Sequence, residues 1–563
     1  MTNSNRGSRA ASDPAGAGRR RARLELWLLP LAPALLAGVH LAGLLLFLNP
    51  RLPLSVATLA RAALIYGALL YPVSLGVHVA LARASRRPLR RLLPWTLTAV
   101  AVAGALGDWV HASYFSFYLP AGINLQLIKS ARWLSAGALL AFYTALLHTL
   151  HRRRYGPRSQ LFLALVALGT VYAMFDRRTS FRAPPASPSA PVVTAGERAP
   201  HLALVALPSA TLDVILPLAE QGKLPFFAAL LESGARARLS SLAPTRPLAL
   251  WATLATGKLP YRHGLEAERL FEVPWLPGAP LRLLPLAIGF EDWGLPGARA
   301  RAASAADRQA PTLWTTLAAL GRRTSVIGFP AVLDGPPPAP EAGPQASAPA
   351  ERELVALGCP DLARALASDR ARLAAARGSL AAPGLDALFV RLDGLERASV
   401  ACFGGFAAAE FEGERAGRVR RAADALASYY GGLDGELAEL WAALPEPRLL
   451  VVVSPYGVAA PAGLGRILLE LADRPRLGGS LAGGPDGLWL ARGEGIRQGV
   501  QVPAAALADA VPTLLYALGL PIARDLDGKV LATTFEPAFL QRRSLTFVPS
   551  YGGLAAPALL SAP

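Results

Sequence analysis

The sequence predicts two architectures in series: an all-α bundle of about five transmembrane helices, then an α/β sandwich with a mostly parallel sheet. Three observations carry this. The 563 residues are 53% hydrophobic and only 17% charged, with a mean hydropathy of +0.34, too apolar for an ordinary soluble enzyme. The formal net charge of +18 is unevenly placed: residues 1–200 carry 23 Lys/Arg against 5 Asp/Glu, and residues 201–563 carry 34 against 34. From residue 200 onward, short apolar runs alternate with longer helical stretches, the pattern of strands joined by crossover helices.

A basic cytoplasmic tail (1–24) precedes a helical membrane region (25–178). Apolar stretches at 26–48, 62–82, 94–115, 133–150 and 159–175 each approach the ~20 residues that cross ~30 Å of hydrocarbon. The last is the shortest, at 17 residues. Basic segments alternate in strength. Arg19, Arg20, Arg21 and Arg23 precede the first span; Arg83, Arg86, Arg87, Arg90 and Arg91 follow the second; Arg152, Arg153, Arg154 and Arg158 follow the fourth. The other loops are lighter, with Arg51 and Arg61 in one and Lys129 and Arg132 in the next. The positive-inside rule therefore puts the N-terminus in the cytoplasm, and five crossings put everything after Asp176 outside. Because the excess charge is membrane topology, nucleic acid is not expected as a partner. The first span lacks a small-residue cleavage site and reads as a signal anchor. Asp108 and His111 lie among Trp109, Tyr114 and Phe115 near the outer end of the third span, and read as part of an interfacial belt.

Residues 179–199, rich in Pro, Ser and Ala, form an expected linker. The domain that follows is expected over 200–540, with a low-complexity insertion near 332–350 and a C-terminal tail at 541–563. Its strands are expected at 202–207, 323–329, 386–392 and 449–454, with a helix over roughly 211–233. Cys359 and Cys402 exclude a multi-thiolate zinc site, and remain open as a pair or as two buried thiols. Among the basic residues 53 are Arg and 4 are Lys, which reads as a bacterial, GC-rich coding bias. Of seven histidines, none follows His263.

Several motifs resemble the alkaline phosphatase superfamily, nearest the type I phosphodiesterase/nucleotide pyrophosphatase branch. They are LALVALPSATLDVI (202–215), the stretch LPFFAALLESGARARLSSLAPTRPLALWATLATGKLPYRHGL (224–265), APTLWTTLAALGRRTSVIGFP (310–330), SYYGGLDGELAEL (428–440), GLWLARGEGI (487–496) and DAVPTLLYALGLPIARDLDGKVL (509–531). The resemblance implies a three-layer α/β/α sandwich. It also implies two metal ions, usually zinc, held by three Asp and three His, and a Ser or Thr nucleophile activated by one of them.

Carried over position by position, that site is almost empty. The Asp expected after the first strand falls on Pro208, and the nucleophile on Pro247. The Asp and His after the DALFVRL strand fall on Glu396 and Val400. The Asp-His pair of the following turn falls on Pro455 and Tyr456, and the last His on Gly483. One carboxylate survives. A register slip cannot restore imidazoles, because the family's ligating histidines lie downstream of the nucleophile motif and this chain has none there. The binuclear zinc site is therefore expected to be lost, with no cofactor and no catalytic residue in its place. Thr245, Arg246, Glu396 and Tyr456 remain as ligand-binding candidates. Pro247 removes an amide that would face an anion at a helix start, while Arg246 keeps positive charge beside it.

The sequence thus points to a multi-pass protein of the bacterial inner membrane with a periplasmic domain. That domain is expected to bind, sense or scaffold in the cell envelope without hydrolysis. Expected partners are the bilayer itself, and lipid head groups or envelope proteins. The alternative is an active phosphodiesterase or phosphotransferase with an unconventional site, acting on envelope or lipid-linked phosphodiesters.

Overall fold

The computed structural model describes residues 24–85, 89–151, 155–175, 199–276, 278–288, 297–336, 348–407, 409, 411, 415–461, 477–482 and 484–552. Nearly all of the expected linker, most of the insertion near 332–350, and Gly483 lie outside them. The chain divides into two compact units. One comprises Met1–Ala183 with Arg269–Arg301, the other Pro184–Glu268 with Ala302–Pro563.

The first unit contains five helices where the apolar stretches predict them: α1 (Leu31–Leu48), α2 (Val56–Ser85), α3 (Leu89–Tyr114), α4 (Ala121–Leu150) and α5 (Pro157–Phe175). Four spans, Leu24–Leu48, Val56–Ala84, Arg91–Tyr114 and Ala121–Leu150, are long and apolar enough to cross a membrane. The fifth helix, with 19 residues, covers roughly 28 Å at 1.5 Å per residue. Successive helices run antiparallel. Ser74 Oγ donates to Pro30 O (2.8 Å), while Gly38 meets the backbone of Ala63 and Gly67 so closely that a Cβ has no room. Between α3 and α4, Ser130 Oγ donates to Asp108 (2.9 Å) and Trp95 Nε1 to Thr149 (3.2 Å). Between α4 and α5, His148 bonds Ser159 (2.9 Å) and Gly137 faces Thr170.

In the second unit the chain runs β1 (His201–Ala206), α6 (Leu212–Glu220), α7 (Pro225–Ser233), β2 (Ala235–Ser240), α8 (Pro247–Thr256) and α9 (Pro260–His263). Strands β3 (Arg269–Glu272) and β4 (Arg299–Ala302), at the two ends of the segment assigned to the first unit, pair with each other, and Phe271 also bridges Leu281. Next come α10 (Leu313–Ala319), β5 (Thr324–Ile327), α11 (Pro349–Ala356), α12 (Pro360–Leu380), β6 (Ala387–Arg391), α13 (Gly394–Cys402), α14 (Ala416–Ala443) and β7 (Arg448–Ser454). The remainder is β8 (Gly487–Gly493), β9 (Val500–Gln501), β10 (Ala505–Ala506), α15 (Ala510–Ala517), β11 (Ile522–Ala523), α16 (Pro537–Arg542) and β12 (Phe547–Val548). The single helix expected over 211–233 is two, broken where Gly222 takes a φ of 70° and Pro225 opens the next helix.

The main sheet has eight strands in the order β10-β2-β8-β7-β1-β6-β5, with β9 also on β2. It is a mixed sheet in which only β8 runs against its neighbours. Both faces are buried, so the central strands alternate between two apolar layers. Val205, Val390 and Val452 join one core with Ile215, Phe227, Leu366 and Leu437 of the helices. Phe389 points the other way, 5.3 Å from Trp314, whose ring lies tilted against Phe329 at 4.7 Å. Two layers of helices around one sheet make the three-layer α/β sandwich. The C-terminal segment is part of it as far as Gly552: β12 pairs parallel to β11, and Tyr551 donates to Pro521 O (2.6 Å).

The sequence placed residues 269–301 within the α/β domain, yet they pack in the helical unit. Phe271, Val273, Leu276, Leu281 and Leu284 are buried with Leu45, Leu46, Leu52, Leu59 and Tyr66. Two polar side chains fix this excursion. The Asn49 amide donates to Leu45 O (3.0 Å) and Leu283 O (2.7 Å), and its Oδ1 accepts from Arg282 N (2.8 Å) and Leu283 N (3.3 Å). His111 Nε2 accepts from Leu286 N (2.9 Å), so Nδ1 carries the proton and donates to Gly107 O (2.7 Å). Asp108 and His111 are therefore buried connectors, not members of an exposed belt. Asn49 and His111 both stand at the C-terminal ends of their helices, the end of the bundle to which the antiparallel α5 returns.

Replacing Asn49 by Leu leaves the Arg282 and Leu283 amides and the Leu283 carbonyl without partners in an apolar setting. The expected outcome is faster amide hydrogen exchange confined to the 278–288 peptide; unchanged protection there contradicts this account.

Candidate functional site

In an open α/β sheet, ligands bind beyond the carboxyl ends of the strands where strand order reverses. Here that point is β1, flanked by β6 and β7. Ala206 lies opposite Arg391 on one side and Val453 on the other, so the loops after all three strands leave at one level. Each loop carries positions that the motifs assign to the site.

Pro208 follows β1 and is buried, in a turn where Ser209 has a left-handed φ of 63° and Leu207 N donates to Val453 O (2.8 Å). Pro247 is the first residue of α8, whose preceding Arg246 provides no side-chain cap. Glu396 sits in the first turn of α13, and Val400, one turn on, is exposed, with its carbonyl accepting from Gly479 N (2.8 Å). Pro455 and Tyr456 follow β7, and Tyr456 is completely buried.

Two of these positions meet. The Tyr456 hydroxyl donates to Glu396 Oε2 at 2.7 Å and accepts from Trp251 Nε1 at 3.3 Å. The Trp251 and Tyr456 rings make an edge contact at 6.2 Å. Trp251 lies one turn after Pro247, so α8 is tied to the same group. The Arg391 guanidinium stands 5.0 Å over the Trp251 ring and pairs with Asp393 (2.8 Å). Thr245 joins from the other side: its hydroxyl accepts from Gly484 N (2.9 Å). The loop at 484–486 also accepts from Gly457 N through Pro485 O (3.0 Å). Arg246, a ligand-binding candidate from the sequence, is only 5% exposed and donates to Glu266 O at 3.4 Å.

Burial, and then the neighbouring Glu396 carboxylate, raise the Tyr456 phenol well above its ordinary range, so it remains a neutral donor. The histidines of this unit are structural. His263 is buried with Nε2 against Thr253 (3.1 Å) and Nδ1 accepting from Leu265 N (3.1 Å); His201 Nδ1 bonds Leu385 O (2.8 Å). Among the described residues no three His, Cys, Asp or Glu side chains are grouped so as to hold a metal ion. Cys359 and Cys402 are free thiols, and burial pushes Cys402 up to about 12.

Sequence reasoning missed the support beneath Glu396. Asp369 of α12 accepts from the Gly394 amide (3.0 Å) and the Tyr429 hydroxyl (2.9 Å), fixing the start of α13. A Cβ on Gly394 would collide with the Tyr429 oxygen, so only glycine fits. Arg372 Nη1 reaches both Asp369 (3.4 Å) and Asp393 (3.2 Å). The sole local sign was a Gly directly after Asp393, which by itself says nothing about α12 or α14.

No protein-family model matches the sequence, and a search of curated proteins finds no match. Solved structures do match in part. Murine ectonucleotide pyrophosphatase/phosphodiesterase 5, an inactive form with AMP, is 13% identical, covering 57% of this chain and 95% of its own, with a TM-score of 0.36. A mutant of the alkaline phosphatase PafA is 10% identical, covering 61% and 100%, with a TM-score of 0.42. The phosphonate monoester hydrolase of Silicibacter pomeroyi is 15% identical, covering 60% and 78%, with a TM-score of 0.35. All three are alkaline phosphatase superfamily members, the group the motifs resemble, and the likeness is one of fold alone.

Two outcomes test the site's internal structure. Tyr456→Phe removes the donor to Glu396 and is expected to cost about 1–2 kcal/mol by denaturant titration, less in a Glu396→Ala background; additive losses contradict the contact. Burial pushes the Asp369 carboxyl from 3.8 up to about 7. Between those values the folded chain keeps a proton that the unfolded chain has released. Its contribution to stability therefore falls as pH rises through that window and is level above it. Asp369→Asn is expected to flatten the fall in melting temperature across that window, and an unchanged slope refutes the assignment.

Proposed function

We propose that this chain is a membrane-anchored protein of the bacterial cell envelope in which an alkaline-phosphatase-like domain, nearest the type I phosphodiesterase/nucleotide pyrophosphatase branch, binds, senses or scaffolds without catalysis. The observation that carries this reading is the Trp251–Tyr456–Glu396 chain of hydrogen bonds. A binuclear zinc site needs carboxylates and neutral imidazoles with lone pairs turned to the metals. At the corresponding strand ends, the one retained carboxylate instead accepts a hydrogen bond from the Tyr456 phenol, beside the buried ring of Trp251. The position of the nucleophile is a proline with neither hydroxyl nor amide hydrogen. Nothing in this arrangement pairs a nucleophile with a base and an electrophile.

On this reading α5 is a fifth crossing, and with the Arg-rich segments before α1, α3 and α5 inside, the domain after it is extracytoplasmic. Lipid head groups or envelope proteins are then the expected partners.

The test is elemental analysis of the full-length protein in detergent, together with turnover of bis(p-nitrophenyl) phosphate with and without added zinc. Sub-stoichiometric zinc and turnover equal to the blank are expected. Stoichiometric binuclear zinc with hydrolysis abolished by Glu396→Ala overturns the proposal.

A further inference from the structure

A second feature of the α/β unit lies away from the strand ends. A cleft of about 850 Å³ opens beside β11 and β12, within the size range of small-molecule sites. Its lining includes Ile522, Leu540, Leu545, Phe547, Arg524 and Lys529. Of the five large apolar side chains exposed among this unit's described residues, three line this cleft: Leu540 (36%), Leu545 (51%) and Phe547 (52%). Isolated exposed leucines are ordinary; three around one concavity are a patch.

The charge beside the patch is one-sided. The loop reads Arg524-Asp525-Leu526-Asp527-Gly528-Lys529, formally balanced. Yet its carboxylates are already engaged: Asp525 by Lys258 (2.6 Å) and the Ser550 hydroxyl (2.7 Å), Asp527 by Arg262 (2.6 Å) and the Leu259 amide (2.8 Å). Arg524 and Lys529 are both exposed, and among the described residues neither has a carboxylate within ion-pair distance. The Arg524 guanidinium stands 5.7 Å over the Phe547 ring, which sets a fixed positive charge against the apolar wall.

We propose that this cleft binds an anionic amphiphile, its phosphate or carboxylate head on Arg524 and Lys529 and its hydrocarbon body along Leu540, Leu545 and Phe547. Two cations without carboxylate partners attract and orient the head, and burying the body against exposed apolar surface supplies the affinity. This site is separate from the Tyr456–Glu396 cluster and does not depend on whether that cluster is catalytic.

The experiment is calorimetric titration of the full-length protein, in phosphatidylcholine nanodiscs, with octyl phosphate, 1-octanol and inorganic phosphate, each corrected by titration of empty nanodiscs. Saturable one-to-one binding of octyl phosphate is expected, with octanol and inorganic phosphate each weaker by about tenfold or more. An Arg524→Ala/Lys529→Ala double variant and, separately, Phe547→Ser are each expected to weaken octyl phosphate by about tenfold with an unchanged melting temperature, since all three positions are exposed. The proposal is overturned by the absence of saturable binding, by octanol or inorganic phosphate binding as tightly as octyl phosphate, or by variants that bind like the unaltered chain.

Discussion

The pairing of β1 between β6 and β7 is the constraint on which the rest of the α/β unit depends. All three strands are parallel, buried on both faces and locked by side chains that alternate between two cores. A slip of one residue would exchange those faces for every side chain in the strand. Register therefore sets where each following loop begins, and the loops of 207–211, 392–396 and 454–457 are brought together whatever residues they carry. Tyr456 meets Glu396 because Val453 and Arg391 share a level with Ala206. The positions of these loops are thus set independently of the side chains they carry, since the packing that positions them lies beneath them.

How legible these features were depended on how local their causes are. The strands β1, β5, β6 and β7 could be read because strands buried on both faces are continuous apolar runs. The strand β2, with Arg236 and Arg238 alternating with Ala235, Ala237 and Leu239, belongs to the sheet through pairings with β8 and β9 that are distant in sequence. Motif spacing singled out Glu396 and Tyr456 among the expected site positions, and those two side chains meet. What they do there was not legible: the hydrogen bond between them spans 60 residues, and Trp251 reaches it across 205. Arg246 is a second case: nothing local in the sequence marks a charged residue before a helix as buried, and only the fold places it against Glu266 O.

The excursion was illegible for the same reason. Its apolar residues look like a loosely patterned loop of the α/β domain, because their partners lie more than 200 residues upstream. Asn49–Leu283, for instance, is separated by 234 positions. An asparagine directly after an apolar span resembles an ordinary helix terminus. Here its side chain offers two donors and two acceptor sites: three meet the backbone of Arg282 and Leu283, and the fourth the carbonyl of Leu45. At a helix end within an apolar cluster, any one left unmade would be costly, so the polar match specifies the docking position and the apolar cluster supplies its strength.

Charge asymmetry orients a bundle but does not count its spans. Within the helical unit, Asn49 and His111, which hold 269–301, stand at the C-terminal ends of α1 and α3, while the Arg-rich segments lie before α1, α3 and α5. The antiparallel partnership of α5 with α4, carried from His148–Ser159 to Gly137–Thr170, gives α5 the same direction as α1 and α3. One alternation of helix direction and one alternation of arginine therefore describe the same bundle, and the polar groups that receive 269–301 stand at the end where arginine is sparse.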